Sequence, residues 1–361
     1  MSCHLRFFGA ATFATLLMSS TAAIAAEPLC KLGDIRLVTS IREIAQPYHG
    51  LVHAGGKGLA AFAGISSDNY ILQLNQGDSD KQVSLMRSLL ATNPGCTVFN
   101  VEPDTDLVVQ SMVDTANESG AWIVSHWGHG GTSHPFDAAN NQWIAHVAVN
   151  SYDAGVMVSK ELMGALGGKG GIVALQGKLD VDPAQKRFAG LKDVLKDYPD
   201  VQLLDDQTAS WDRTKAFPIV QTWLAKHGDK IKGIWAANDD MALGALEALR
   251  AAGLAGKIPV VGVDGVEEVV AAVEKGEMVA TVSSDGYYQG SIGLAMGVCV
   301  LTGQVPPPKE WKKEDREFYL KLVLINKSNA SQFLSEPDPK AYAASDWQCD
   351  KIFARNTGPA F

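Results

Sequence analysis

From Ile35 onward the sequence switches repeatedly between short apolar runs and stretches whose apolar residues recur every three or four positions. The runs are IRLVTS, YILQLNQ, CTVFNVEP, AWIVSH, IAHVAV, GIVALQG, VQLLDDQ, IKGIWAAND, IPVVGVDG, MVATVSS and FYLKLVLIN. Between most of them lie helical patterns such as DKQVSLMRSLLAT and NDDMALGALEALRAAG. Strands alternating with helices predict a doubly wound α/β architecture with parallel sheets. Several runs are β-branched and apolar on both faces, as expected when helices cover both sides of a sheet. About ten such units suit two lobes of roughly five strands each. With 46% hydrophobic and 20% charged residues over 361 positions, the chain can fill two cores.

The first 26 residues stand apart. Arg6 is the only full charge in this segment, the run Phe7 to Met18 is apolar, and Ala23-Ile24-Ala25-Ala26 has the small residues of a signal peptidase site. The apolar run falls short of the roughly 20 residues that span a bilayer. The chain is therefore expected to be exported, with cleavage near Ala25 or Ala26. Cleavage removes Arg6 and no acid, taking the formal charge from −9 to −10. No Lys/Arg cluster tracks a phosphate backbone, so nucleic acid is not an expected partner. Cys3 also leaves, and Cys30, Cys96, Cys299 and Cys349 enter an oxidising compartment with three possible disulfide pairings.

Glycine-rich stretches carry no cofactor signal. GALGGKGG (Gly164 to Gly171) has Met163 and Gly170 where a P-loop needs Gly and Ser/Thr, and reads as a helix-ending turn. GGKGLA (Gly55 to Ala60) followed by Ala61 has dinucleotide spacing but lies inside a helical pattern. There is no GxSxG, HExxH or CxxC. No cofactor is expected. SHWGHGG, followed by His134, gathers three histidines, but His126 and His129 lie on a strand-to-loop transition where a spacing of three does not put both rings on one face. No metal is assigned to them.

Open parallel sheets bind ligands past the carboxyl ends of their strands. Applied to each run, this rule collects Gln46-Pro47-Tyr48-His49, His126-Trp127, Trp211-Asp212-Arg213, Asn238-Asp239-Asp240, Asp264-Gly265 and Ser283-Ser284. Planar polar groups engage neighbouring hydroxyls, and flat rings cover the C–H faces of a sugar. The mixture points to a polyhydroxylated ligand.

At these positions the sequence resembles a known family. ANDDMALGALEALRAAG (Ala237 to Gly253) followed by PVVGVDG (Pro259 to Gly265) is similar to the C-terminal lobe of periplasmic sugar-binding proteins of the ribose-binding type. QPYH, the R-x-x-G-[FL] pattern at Arg187 to Leu191, the aromatic-Asp-Arg at Trp211 to Arg213 and the A-T-V run before Ser284 follow the family in order. The resemblance spans about residues 35 to 326. It implies a type I periplasmic binding protein: two lobes joined by three crossovers that close on a solute and deliver it to the permease of an ABC importer. Repressors sharing these lobes carry a DNA-binding segment where this chain has its signal peptide.

Carried over by position, the implied ligand contacts are Gln46, Tyr48, His49, His126, Trp127, Arg187, Trp211, Asn238, Asp264 and Ser284. The lobes would comprise residues 32–147 with 285–319, and 148–284 with 320–327, between a signal peptide at 1–26 and an extension at 328–361. In the family's sheet order the strands after Cys30 and Cys96 are neighbours, which implies that pair and leaves Cys299 for Cys349. A chemoreceptor is a further candidate partner, and a periplasmic monomer is expected. His126-Trp127 replaces the Asp-Arg pair usual after the fourth strand, and Tyr48-His49 replaces two Phe rings, implying a sugar or polyol held with more stacking and fewer charged bonds. Two other classes make different predictions. An enzyme using His126 with Asp264 would turn over a bound sugar, and a protein binding zinc through His126, His129 and His134 would carry the metal when purified.

Overall fold

In the computed structural model, the apolar runs become strands, one of them divided in two, and the three-four patterns become helices. Residues 27–92, 94–129, 131–335, 344 and 346–359 are described, so the expected signal peptide lies outside the described residues. The chain begins with β1 (Arg36–Ile41), α1 (Pro47–Phe62), β2 (Tyr70–Leu74), α2 (Ser79–Leu90), β3 (Thr97–Val101), α3 (Val109–Ser119), β4 (Trp122–His126) and β5 (Trp143–Val149). It continues through α4 (Ser151–Leu166), β6 (Gly170–Gln176), α5 (Asp182–Leu195), β7 (Val201–Thr208), α6 (Arg213–His227), β8 (Ile231–Ala236), α7 (Asp239–Ala251), β9 (Val260–Val261), α8 (Glu267–Lys275) and β10 (Ala280–Ser283). It ends with α9 (Gly286–Leu301), α10 (Lys313–Arg316), β11 (Glu317–Leu320), β12 (Val323–Asn326), α11 (Ala330–Ser335) and β13 (Asn356–Pro359).

Local chemistry sets the helix ends. Asn150 and Asn238 cap α4 and α7 by accepting from Asp153 N and Met241 N, and Gly167 ends α4 in the left-handed conformation at φ 61°. The GALGGKGG stretch is thus a helix terminus leading into β6, and GGKGLA lies inside α1.

The strands form two sheets, in the orders β13-β11-β5-β4-β3-β1-β2 and β12-β10-β9-β8-β6-β7. All neighbours are parallel except β13 on β11 and β12 on β10. The chain leaves the first sheet after β5, returns between β10 and α9, and leaves again between β11 and β12. Three crossovers therefore join two lobes. The run FYLKLVLIN, read as one strand, divides at Lys321-Leu322 between β11 and β12, which lie in different sheets.

Helix α9 is buried along its whole length, between α1 and the β3–β4 face of the first sheet. The α1 contact is glycine-dependent: a Cβ on Gly55 would lie 1.9 Å from Tyr287 O, and one on Gly290 would lie 2.0 Å from Val52 O. Either substitution would force the helices apart.

Cys30 is bonded to Cys96 and Cys299 to Cys349. The tail first packs α11 against α8 and β12 in the second lobe. It then returns to the first, where Trp347 Nε1 donates to Ser291 Oγ at 2.8 Å and β13 extends the sheet. Among the described residues no helix is long and apolar enough to cross a membrane.

Candidate functional site

The carboxyl ends of both sheets face one cleft. It is lined by Arg42, Gln46, Tyr48, His49, Glu102, Pro103, Asp104, Trp127 and Gly128 from the first lobe, and by Val181, Pro183, Arg187, Trp211, Asn238 and Asp264 from the second. Eight of the ten residues singled out in the sequence thus meet in one place.

Arg187 organises the second lobe's wall. Projecting from α5, it is 3% exposed and donates from Nη1 to Ala237 O at 2.7 Å. Its guanidinium sits 4.9 Å from the Trp127 ring centre and 5.6 Å from that of Trp211, so two indoles flank the charge. Nη1 is 3.8 Å from Asp264 Oδ1, an ion-pair distance too long for a hydrogen bond. Burial pushes the Asp264 carboxyl well above the usual range, against the pull of Arg187, and the nearby Asp239 carboxylate adds to the rise. Asp239 is pushed up to about 7, chiefly by burial. It does not line the cleft; its oxygens accept from Thr281 Oγ1 at 2.7 Å and Val266 N at 3.0 Å, which holds the turn carrying Asp264.

In the first lobe, Trp127 Nε1 donates to Tyr48 OH at 2.8 Å with the rings edge to face. His49 Nε2 pairs with Glu102 Oε1 at 3.2 Å. Burial pushes the Glu102 carboxyl up, but His49 and Arg42 outweigh it and hold it below its ordinary value. Several lining residues stand on unusual backbone: Trp127 at φ 61°, Trp211 at φ 67° and Asp264 at φ 138°. Such conformations persist only where surrounding structure imposes them, and they concentrate at binding sites.

Polar atoms with no hydrogen-bond partner among the described residues converge here: His49 Nδ1, Glu102 Oε2 and Arg187 Nε, all buried. Buried donors and acceptors are nearly always satisfied in native proteins, so this group marks where a hydroxyl-bearing molecule can supply the missing bonds. The lobes also bond directly across the cleft. Gln46 Nε2 donates to Trp211 O at 2.6 Å, Lys178 Nζ to Asp104 Oδ2 at 2.6 Å, and Asp182 N to Asp106 Oδ2 at 2.9 Å. The arrangement is a closed one.

His126 and Ser284 do not line this cleft. His126 is the last residue of β4 rather than a loop residue beyond it; Nδ1 donates to Val147 O at 3.1 Å and Nε2 contacts Asn100 Oδ1. Burial lowers its pKa to about 4, outweighing the opposing pull of Glu102 and the Val147 bond. With Tyr48, Asn100 and Glu102 it lines a smaller pocket. Ser284 is fully buried at the crossover before α9, where its carbonyl accepts from Gln289 Nε2 at 2.5 Å. Conversely, Glu102, Pro103 and Asp104 follow β3 at the position the strand-end rule specifies, and the sequence reading passed over them.

A family model described as the periplasmic binding protein domain matches residues 46–304. The chain belongs to this family. It is 30% identical over 278 residues to the xylitol-binding protein of Mycolicibacterium smegmatis, covering 76% of each chain. It is also 29% identical over 318 residues to the D-allose-binding periplasmic protein of Escherichia coli, covering 85% of this chain and 94% of that one. Among solved structures, a twin-arginine translocation pathway signal protein from Burkholderia phytofirmans superposes with a TM-score of 0.85 at 37% identity, over 91% of this chain and 99% of that one. The Caulobacter myo-inositol binding protein shares the fold, with a TM-score of 0.70 at 24% identity over 83% of this chain and 96% of that one.

Proposed function

We propose that this periplasmic binding protein captures an uncharged sugar or polyol between its lobes and delivers it to the permease of an ABC importer. The observation that carries this reading is the cleft itself: Tyr48, Trp127 and Trp211 offer ring surfaces beside His49 Nδ1, Glu102 Oε2 and Arg187 Nε, which lack partners among the described residues. Relatives named for binding xylitol and D-allose support this solute class. Gln46, Tyr48, His49, Trp127, Arg187, Trp211, Asn238 and Asp264 are assigned as contacts, joined by Glu102 and Asp104. His126 and Ser284 act from behind.

Export to the periplasm follows from the reading of the first 26 residues. The two lobes move as bodies about the three crossovers. The closed form is what the permease, and a chemoreceptor if one is served, recognises, and the protein acts as a monomer without turning its solute over.

The test is calorimetry on the mature protein with xylitol, D-allose, D-ribose, myo-inositol and sugar acids, after a thermal-shift screen. A solute at 100 times its dissociation constant adds roughly 2.7 kcal/mol of stability. At least one neutral polyol should bind and be recovered unchanged. Failure of all of them, or recovery of a converted product, would overturn the proposal.

A further inference from the structure

On the loop that follows β4, beyond the cleft wall, two histidines converge on one carboxylate. His129 Nε2 stands 2.8 Å from Glu317 Oε1, and His134 Nδ1 stands 2.8 Å from Glu317 Oε2. One ligand atom from each of the three residues lies within 4.8 Å of the others. Glu317, the first residue of β11, is fully buried and fixed by its pairing with β5 opposite His146. The loop is braced as well: His134 N donates to Asp137 Oδ2 at 2.7 Å, and Asn140 Nδ2 donates to His134 O at 2.8 Å.

Two details of His129 point to a ligand. Its Nδ1 lies 2.9 Å from Gly131 O, and a carbonyl can only accept, so Nδ1 carries a proton and Nε2 is the nitrogen left to face Glu317. A backbone carbonyl fixing the far nitrogen is how proteins orient metal-ligating histidines. Moreover, Nε2 and Oε1 are 2.8 Å apart yet not aligned for a hydrogen bond, and both are buried without a hydrogen-bond partner among the described residues. A cation that each atom reaches along its own lone pair suits this off-axis approach better than a proton shared on one line.

We propose that His129, His134 and Glu317 bind a divalent transition-metal ion, with zinc the best match. Two imidazoles and one carboxylate suit zinc, whereas calcium and magnesium favour sets made of oxygen. Bonds of about 2.0 to 2.1 Å in a tetrahedral site set ligand atoms roughly 3.4 Å apart. The 2.8 Å contacts therefore need to open by about 0.6 Å, which loop-borne rings can supply. The histidine side chains are 21% and 28% exposed, so water can reach a fourth position. The metal would tie the loop that begins with the cleft residues Trp127 and Gly128 to β11. His126 takes no part, because its ring is engaged with Val147 and Asn100.

The test uses the mature protein made without a histidine tag, stripped with EDTA and equilibrated with micromolar zinc. The expected result is about one zinc per chain by elemental analysis, a visible cobalt(II) spectrum of low-symmetry coordination, and zinc affinity weakened about 10- to 100-fold or more in His129→Ala/His134→Ala. Substoichiometric zinc in the unaltered protein would overturn the proposal, with no variant needed. So would equal affinity in the double variant, and either result leaves the cluster as a proton-bridged ion pair. Sugar affinity of the stripped protein is measured alongside, so failure of the metal site is distinguishable from failure of the solute-binding reading.

Discussion

Replacing Arg187 by methionine keeps a long unbranched side chain in the cleft wall and removes the charge between Trp127 and Trp211. Two consequences separate. In the unliganded protein, Asp264 loses a cation 3.8 Å away. At an effective dielectric constant of about 20 that attraction is worth roughly 4 kcal/mol, an upper limit because the carboxyl can take up a proton instead. Asp264 already has a folded-state pKa well above its unfolded value, from burial. Its contribution to stability is thus present at low pH and lost as pH rises through the folded value. Without Arg187 that value climbs further, so R187M should be destabilised more at pH 8 than at pH 5 in urea titrations, by up to about 4 kcal/mol. In the second consequence, solute affinity should fall by at least about 2 kcal/mol, or 30-fold, at either pH, if the buried Arg187 of the cleft wall is a solute contact as proposed. Equal destabilisation at both pH values would refute the electrostatic argument. A dissociation constant within about threefold of the original would remove Arg187 from the solute contacts.

Gly177→Ala tests Trp211 without substituting it: the new Cβ would lie 2.1 Å from the indole, so the ring must shift, and calorimetry should show affinity falling about tenfold. Lys178→Ala removes a bond from one lobe to the other, at Asp104, and should weaken binding by about 1 to 2 kcal/mol, mainly through faster dissociation seen in stopped flow. Opening the Cys299–Cys349 link with a Cys349→Ser substitution frees a 50-residue separation and should cost about 4 kcal/mol in chemical denaturation by the chain-entropy account; a loss under about 1 kcal/mol would show that the tail constrains little.

The two sheets were legible in the sequence because burial on both faces leaves apolar runs that nothing else explains. The division of FYLKLVLIN was not, since alternation continues across Lys321-Leu322 while the backbone changes lobe. Nor was β13: Asn356–Pro359 has no apolar period and exists as a strand only through its pairing with β11. The strand-end rule brought together seven of the fifteen residues that line the cleft, Trp211 and Asp264 among them, although 53 positions separate those two in the sequence. It misplaced His126, the last residue of both the run AWIVSH and β4, because its ring turns to Val147 and Asn100, and the turn to positive φ comes at Trp127. Of the group of His129, His134 and Glu317, the histidines stood out in the sequence but their carboxylate did not, because 183 residues separate His134 from Glu317.

The tail adds a fourth passage between the lobes, from α11 on the second to Trp347 and Cys349 on the first. It also makes the molecule resistant to trimming. A protease that cuts between Ser335 and Trp347 yields a piece still fastened by the Cys299–Cys349 bond, and that piece departs only after the bond is reduced and β13 is peeled from the sheet edge.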